Sequence, residues 1–267
     1  MNATKFLDRD GCRIAYDDTE TAGPLVVCVP GLGDTRNAYR HLRPLLVAAG
    51  YRVVTVDLRG EGESTARWDD YSTIAVAADI VALVRHIDAG PAVLISNSYT
   101  GGPSFLVATE APELFTALVL TDPFARVQPA PNFVTKLAIW GVSHVASGWT
   151  SYWSTLYPTN KPADFAESKK ALTATMREPG RMAALRGMLA SSQAPGSAAA
   201  PHVTCPVLVV MGSADPDFKD PAGEAKTIAG MVPNGQVAMI ENAGHYPATE
   251  YPQATADVIL PFLASVR

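Results

Sequence analysis

Hydrophobic and polar positions along this chain fall into two alternating rhythms. Residues 4–20, TKFLDRDGCRIAYDDTE, alternate in steps of two around Asp10-Gly11. That dipeptide suits a tight turn, so the stretch predicts two antiparallel strands. Six short runs follow in which apolar residues are continuous: PLVVCVP (24–30), RVVTVDL (52–58), AVLIS (92–96), ALVLTDP (117–123), PVLVVMG (206–212) and QVAMIEN (236–242). Runs of this kind are expected of strands buried on both faces. Between them the spacing changes to three and four, predicting helices in NAYRHLRPLLVAAGY (37–51, ending at Gly50), TIAVAADIVALVRHI (73–87), Gly101 to Thr109, and TADVILPFLASV (255–266). Strands alternating with helices imply a parallel sheet with helices on both faces. The functional loops of such a sheet lie at the carboxyl ends of its strands.

The alternation is interrupted between about Ala125 and Pro201. The interruption reads as mostly helical, punctuated by Pro129, Pro131, Pro158, Pro162, Pro179 and Pro195. Its end, SSQAPGSAAAP (191–201), reads as a linker back to the sheet. Because it separates two sheet strands, the segment is expected to sit over their carboxyl ends as a lid. The expected organisation is a core of residues 1–124 and 203–267 with a helical cap of residues 125–202.

Composition narrows the class. The 267 residues are 48% hydrophobic and 18% charged, with a formal charge of −5. These values fit a soluble globular protein, and without a Lys/Arg cluster neither nucleic acid nor membrane insertion is expected. The polar N-terminus and the lack of a run of ~18 apolar residues predict neither signal peptide nor membrane span, and a cytoplasmic location. Cys12, Cys28 and Cys205 form no CxxC pair and are expected to be buried, reduced thiols. No ligand cluster suggests a metal, and no organic cofactor is called for.

Four stretches with chemical potential fall at predicted strand ends. PGLGDT (30–35) could turn backbone N–H groups toward an oxyanion, or be a plain turn with Asp34 capping the next helix. SNSYTG (96–101) places Ser98 just after a buried strand and just ahead of a helix, where a sharp turn would expose its hydroxyl to the positive helix end; a helix-capping serine is the plainer reading. Asn97 and Tyr99 are expected to serve backbone geometry there. MGSADPDF (211–218) offers Asp215 or Asp217 to orient a histidine, or a polar Asx turn. NAGHYPATEYP (242–252) holds His245, alone among the five histidines in following a strand end and an Ala-Gly turn. A hydroxyl nucleophile needs a general base, and the base needs a carboxylate to fix its tautomer. The order Ser98, Asp215, His245 supplies all three.

With these pieces assembled, the chain resembles the α/β-hydrolase superfamily over essentially its whole length. The resemblance rests on PGLGD, DLRGEGES, SNSYTGG, VLVVMGSADPDF and NAGHYPATEYP. It implies a mostly parallel sheet with helices on both faces, an inserted cap, and an esterase- or lactonase-like serine hydrolase. By position, Ser98 is then the nucleophile, Asp215 the acid and His245 the base, with the backbone N–H groups of Leu32 and Tyr99 as the oxyanion hole. Asp215 is preferred to Asp217 because the family's acid usually lies three residues after the strand-ending glycine, here Gly212. Asp122 is a weaker alternative, since some members place the acid there. DLRGEGES resembles a structural turn anchored by Asp57 and Arg59, with Glu61 where His is common. Pro30 stands where many members have His. Ser96 and Thr100 replace the glycines that usually flank the nucleophile, and Pro103 so near a helix start is expected to shift or kink its first turn.

The resemblance implies hydrolysis of an ester, a lactone or a related acyl bond in a small, mostly apolar molecule, with the cap setting specificity. Trp140, Trp149 and Trp153 fall in the cap and either line a substrate pocket or form the cap's own core. Two rivals use the same fold: a carbon–carbon bond hydrolase of ring-cleavage products, whose members often carry Asn before the nucleophile as Asn97 does, and a ligand receptor that turns over slowly. A haloalkane dehalogenase or epoxide hydrolase is disfavoured, because those relatives use Asp at the position of Ser98. Oligomeric state is not legible.

Overall fold

The computed structural model describes residues 3–129 and 132–266; the expected punctuation at Pro131 lies outside them. Among the described residues the strands are β1 (Lys5–Arg9), β2 (Cys12–Asp18), β3 (Leu25–Val29), β4 (Arg52–Val56), β5 (Ala92–Asn97), β6 (Phe115–Thr121), β7 (Val207–Gly212) and β8 (Gly235–Ile240). The helices are α1 (Leu42–Ala48), α2 (Thr73–Ile87), α3 (Gly101–Glu110), α4 (Phe133–His144), α5 (Ala146–Thr155), α6 (Phe165–Met176), α7 (Arg181–Ala190), α8 (Ala194–Ala199), α9 (Pro221–Ala229), α10 (Pro247–Glu250) and α11 (Pro252–Ser265).

The strands form one 8-stranded sheet in the order β1-β2-β4-β3-β5-β6-β7-β8. Pairing is antiparallel from β1 through β2 to β4 and parallel elsewhere. Asp10 and Gly11 both take positive φ, 52° and 79°, as the turn between two hairpin strands requires. The continuous apolar runs are buried on both faces as their pattern predicts. In β3, Leu25, Val27 and Val29 join a core with Ile80, Val84 and Phe105, while Val26 and Cys28 face Leu42, Leu46 and Leu263. Each such side chain contributes about 1.5–3 kcal/mol when fully removed from water, so the sheet is a firm base for the loops at its carboxyl end.

Several expectations need correction. The single helix expected over 37–51 is instead a 3-10 turn at Arg36–Tyr39 followed by α1. Pro44 lacks the N–H that would bond the carbonyl of residue 40, so a new helix starts with Pro44 in its first turn, where that donor is not needed. Helix α9 is not among the expected elements; its signals are the Asp220 side chain, which accepts the Gly223 N–H at 2.9 Å, and Pro221 at the first position. SSQAPGSAAAP, expected as a linker back to the sheet, does lead to β7 but is largely helical. It contains α8 and a 3-10 turn at Ala200–His202, and Pro195 opens this helix where a stop was expected. Helix α8 lies so close to α3 that a Cβ on Gly196 would fall 2.4 Å from the Gly102 carbonyl oxygen. Of the three free cysteines only Cys28 is fully buried; Cys12 and Cys205 are half-buried.

Helices α4 to α8 all lie between β6 and β7. Trp149, Trp153, Leu156, Tyr157, Met176 and Leu185 from this insertion make a separate apolar core with Tyr246. Helix α4 is the exception: Phe133, Leu137 and Trp140 are 79%, 59% and 60% exposed and recur at helical spacing along one side.

Candidate active site

Ser98 follows β5 directly and takes φ 57°, the left-handed region that L-residues avoid. Holding a serine there costs about 1–3 kcal/mol, which the surroundings must offset. They do so from three sides. The Phe124 N–H, beyond the end of β6, donates to the Ser98 carbonyl at 2.9 Å. A Cβ on Gly31 would lie 2.9 Å from the Ser98 Cβ, so the loop after β3 rests against the serine with no room for a side chain. The third support is Thr100, fully buried, whose hydroxyl accepts from Asn97 N at 3.2 Å and donates to the Asn97 carbonyl at 2.7 Å.

This arrangement explains how the elbow closes without its usual glycines. The β-branched Thr100 replaces an absent side chain with a hydroxyl that fastens the turn to its own strand. On the other flank Ser96 is held by Ser104, whose hydroxyl lies 2.8 Å from both Ser96 Oγ and the Thr100 carbonyl. Close backbone approach has moved to Gly101 and Gly102. A Cβ at Gly101 would meet Pro123 at 2.8 Å, and one at Gly102 would meet Gln193 Oε1 at 1.9 Å. Pro103 is the third residue of α3, after a 3-10 turn over Ser98–Thr100. Its missing N–H leaves the Tyr99 carbonyl, four residues back, without a helical donor. Gln193 Nε2 supplies one at 3.0 Å from the far end of the insertion.

His245 sits between β8 and α10 and is 2% exposed. Its Nδ1 lies 2.7 Å from Asp215 Oδ2 and 3.9 Å from Asp217 Oδ2, so Asp215 is its hydrogen-bond partner. Asp217 is engaged elsewhere. Its N–H donates to Asp215 Oδ1 at 2.9 Å, and its carboxylate accepts the Tyr152 hydroxyl at 2.8 Å. Asn97 is expected to serve backbone geometry, and its side chain does so by bonding backbone at the end of β6 and in the loop after β8. Its side-chain amide donates to the Thr121 carbonyl at 3.1 Å and the His245 carbonyl at 3.2 Å, tying the residue before Ser98 to the histidine loop. Tyr99 likewise uses its hydroxyl, 2.9 Å from Ser191 Oγ.

Burial disfavours the charged form of His245, but the Asp215 carboxylate outweighs it and holds the ring above the usual histidine range. Burial also works against Asp215, yet the histidine keeps it below the usual carboxylate range. The geometry therefore favours an ionised Asp215 that fixes the proton on His245 Nδ1 and directs Nε2 outward. The oxygen and nitrogen atoms of Asp122, Asp215 and His245 all lie within 4.8 Å of one another. The 2.7 Å contact marks two of these groups as hydrogen-bond partners, not as a ligand set for a cation.

The loop after β3 is gripped by residues to which the sequence reading gave other roles. Gly33 N donates to Glu61 Oε1 at 3.1 Å, so this N–H is engaged and Leu32 is left as that loop's candidate oxyanion donor. Glu61 thus links its turn to the loop after β3, a structural contact; full burial pushes its carboxyl well above the usual range. Asp57 and Arg59 do anchor that turn: Asp57 accepts Arg36 N at 2.7 Å and Glu63 N at 2.9 Å, and Arg59 pairs with Asp79 at 2.7 Å. Asp34 is not a helix cap. Its Oδ2 accepts the Trp153 indole N–H at 2.9 Å, while the Trp149 indole donates to the Gly33 carbonyl at 2.6 Å. Trp149 and Trp153 are buried in the insertion's core, whereas Trp140 stacks on His144 in exposed α4. Glu250 was not singled out either. Its Oε1 accepts the N–H groups of Gly244 and Tyr246, at 2.9 and 3.3 Å, on both sides of His245, and burial pushes its carboxyl up to about 7. The Glu61 signal was a departure from His in a recognised turn; Glu250 and Gln193 gave no signal beyond their polarity.

A mostly parallel sheet with an inserted helical segment, a serine elbow and a carboxylate–histidine pair at successive strand ends defines the α/β-hydrolase class. The chain belongs to the alpha/beta hydrolase family, whose model matches residues 26–258. More particularly, it is 31% identical to the putative non-heme bromoperoxidase BpoC of Mycobacterium tuberculosis over 270 residues, covering 95% of this chain and 98% of that protein. It is 24% identical to the mouse sn-1-specific diacylglycerol lipase ABHD11, covering 92% and 83% respectively. A thermophilic esterase from Thermogutta terrifontis superposes with a TM-score of 0.80 at 25% identity, over 99% of both chains.

Proposed function

We propose that this hydrolase cleaves a carboxylic ester, a lactone or a related acyl bond through an acyl-enzyme on Ser98, with residues 125–202 as the specificity-setting cap. The observation that carries the reading is the 2.7 Å Asp215–His245 contact at the same sheet edge as a serine held at φ 57°. His245 Nε2 takes the Ser98 proton as Oγ bonds the substrate carbonyl carbon. The tetrahedral oxyanion is held by the Leu32 and Tyr99 N–H groups. The intermediate collapses with His245 returning the proton to the leaving alkoxide, which departs as an alcohol. Water, deprotonated by His245, then attacks the acyl-enzyme and releases the carboxylic acid.

A mostly apolar substrate is part of this reading; Trp149 and Trp153, engaged in holding the loop after β3, belong to the insertion's own core. The names of the relatives extend the range to test, from esters and diacylglycerols to peroxide chemistry. With hydrogen peroxide replacing water as acceptor, the same acyl-enzyme would release a peracid.

A fluorophosphonate probe is expected to label the wild type and not Ser98→Ala, and Ser98→Ala to lose at least about a thousandfold in kcat on a graded panel of esters and lactones. Labelling or near-full activity in Ser98→Ala would overturn the reading. Release of an enol-type product from a carbon–carbon substrate, with esters inert, would move it to the carbon–carbon hydrolases. Tight ligand retention with very slow turnover would move it to a receptor.

A further inference from the structure

Asp122 follows β6, is fully buried, and takes φ 46°. The acyl-transfer steps do not use it. Its own N–H donates to the Val210 carbonyl at 2.9 Å, and its Oδ1 accepts the Gly212 N–H at 2.8 Å, so its carboxyl is held against the end of β7. Oδ2 is buried and receives no donor. The Asp122 and Asp215 carboxyls and the His245 ring bring their nearest atoms within 4.8 Å of one another.

Two buried carboxyls at this separation cannot both stay ionised, and one retains a proton. Asp215 has the better claim to the charge. It faces His245 at 2.7 Å through one oxygen and the Asp217 N–H at 2.9 Å through the other. Asp122 has a single backbone donor, on Oδ1. The proton therefore sits on Oδ2, the oxygen toward which no N–H or O–H points. Resting on the triad reading above, we propose that Asp122 is a positioning residue: as a neutral acid it donates a hydrogen bond from Oδ2 to Asp215 and so fixes the carboxylate that aligns His245. Burial and the adjacent Asp215 charge both push the Asp122 carboxyl well above the usual range, in agreement with that assignment.

The charge state of Asp122 is readable from the acid limb of the kcat/KM profile, which reports His245 losing its proton. Beyond Asp122, the titratable groups bearing on His245 are Asp215 and Asp217 after β7, and Glu250 of α10. Tyr152 of α5 bonds Asp217, and the Tyr246 ring packs edge-on to His245. None of these residues is itself altered in the Asp122 variants. Asp122→Asn replaces one neutral donor by another, so the acid limb and kcat should remain near wild type on a p-nitrophenyl ester. Asp122→Ala removes the donor and should lower kcat about tenfold or more, the worth of one hydrogen bond to a charged group, with KM little changed.

A limb displaced to lower pH by a unit or more in Asp122→Asn would reveal an ionised Asp122 in the wild type and overturn the proposal. So would a fully active Asp122→Ala. Should Asp122→Ala not fold, Asp122→Asn alone decides. The downfield Nδ1–H proton resonance of His245 reads the His245–Asp215 bond that Asp122 is proposed to align, without turnover; it should persist in Asp122→Asn, and its loss there would count against the proposal. A wild type unlabelled by the fluorophosphonate would instead sink the triad reading, while this resonance still judges the role of Asp122.

Discussion

Ser98 occupies backbone geometry that glycine adopts at little cost, and the chain accepts a strained serine there. Ser98→Gly is therefore expected to be about 1 kcal/mol more stable than Ser98→Ala, the relief of left-handed strain exceeding the extra entropy of an unfolded glycine. Urea unfolding of the two variants checks this; equal stability would mean the elbow relaxes when the hydroxyl is gone. Ser98, Asp215 and His245 were legible because continuous apolar runs locate strand ends, and each of the three follows one closely. Glu61, Gln193 and Glu250 were not. Glu61 and Gln193 act through one side-chain contact each to backbone far away along the chain, and Glu250 through two contacts to the turn that holds His245, none of which periodicity or spacing encodes.

Between elements, one junction with no room for a side chain is that of α3 with α8. Its composition of Ser, Ala, Gly and Pro reads as a linker, and the reason it is a helix is tertiary: only small residues fit against Gly102. Adding a methyl at Gly196 would place carbon 2.4 Å from backbone oxygen that cannot swing away. Gly196→Ala should cost about 1–3 kcal/mol by overpacking. It should also lower kcat, because displacing α8 draws Gln193 from the Tyr99 carbonyl and loosens the first turn after Ser98. Thermal melts and ester kinetics together test this; a destabilised variant with unchanged kcat would separate α8 from the elbow. The strands were the most legible elements because burial on both faces leaves a strong pattern. Helix α9 and the break before α1 depend on single caps and prolines, which leave a weaker one.

At the scale of the molecule, the insertion is fastened to the core by side chains of α5 and by Asp164 ahead of α6. Trp149 and Trp153 reach the loop after β3, Tyr152 reaches Asp217, and Arg40 pairs with Asp164 at 2.6 Å. Burial desolvates most of these contacts, so the insertion should not melt separately. Urea transitions followed by tryptophan fluorescence, reporting mainly on Trp140, Trp149 and Trp153, and by far-ultraviolet circular dichroism should coincide. An earlier fluorescence transition would show a separately folding cap. The insertion's position was legible from the interrupted strand–helix alternation. Its attachment was not, because Trp149 and Trp153 read from the sequence as pocket lining or the insertion's own core, and nothing in their spacing shows that their indole N–H groups reach another loop.

The order of the strands has a consequence for how the protein is made. Synthesis delivers the loop after β3 and the Ser98 elbow first, while Asp215 and His245 arrive later, with β7 and β8 at one side of the sheet. A nascent chain can thus assemble a central sheet bearing a serine with no base beside it. On the proposed mechanism that serine stays unactivated until β7 and β8 dock and bring Asp215 and His245 with them.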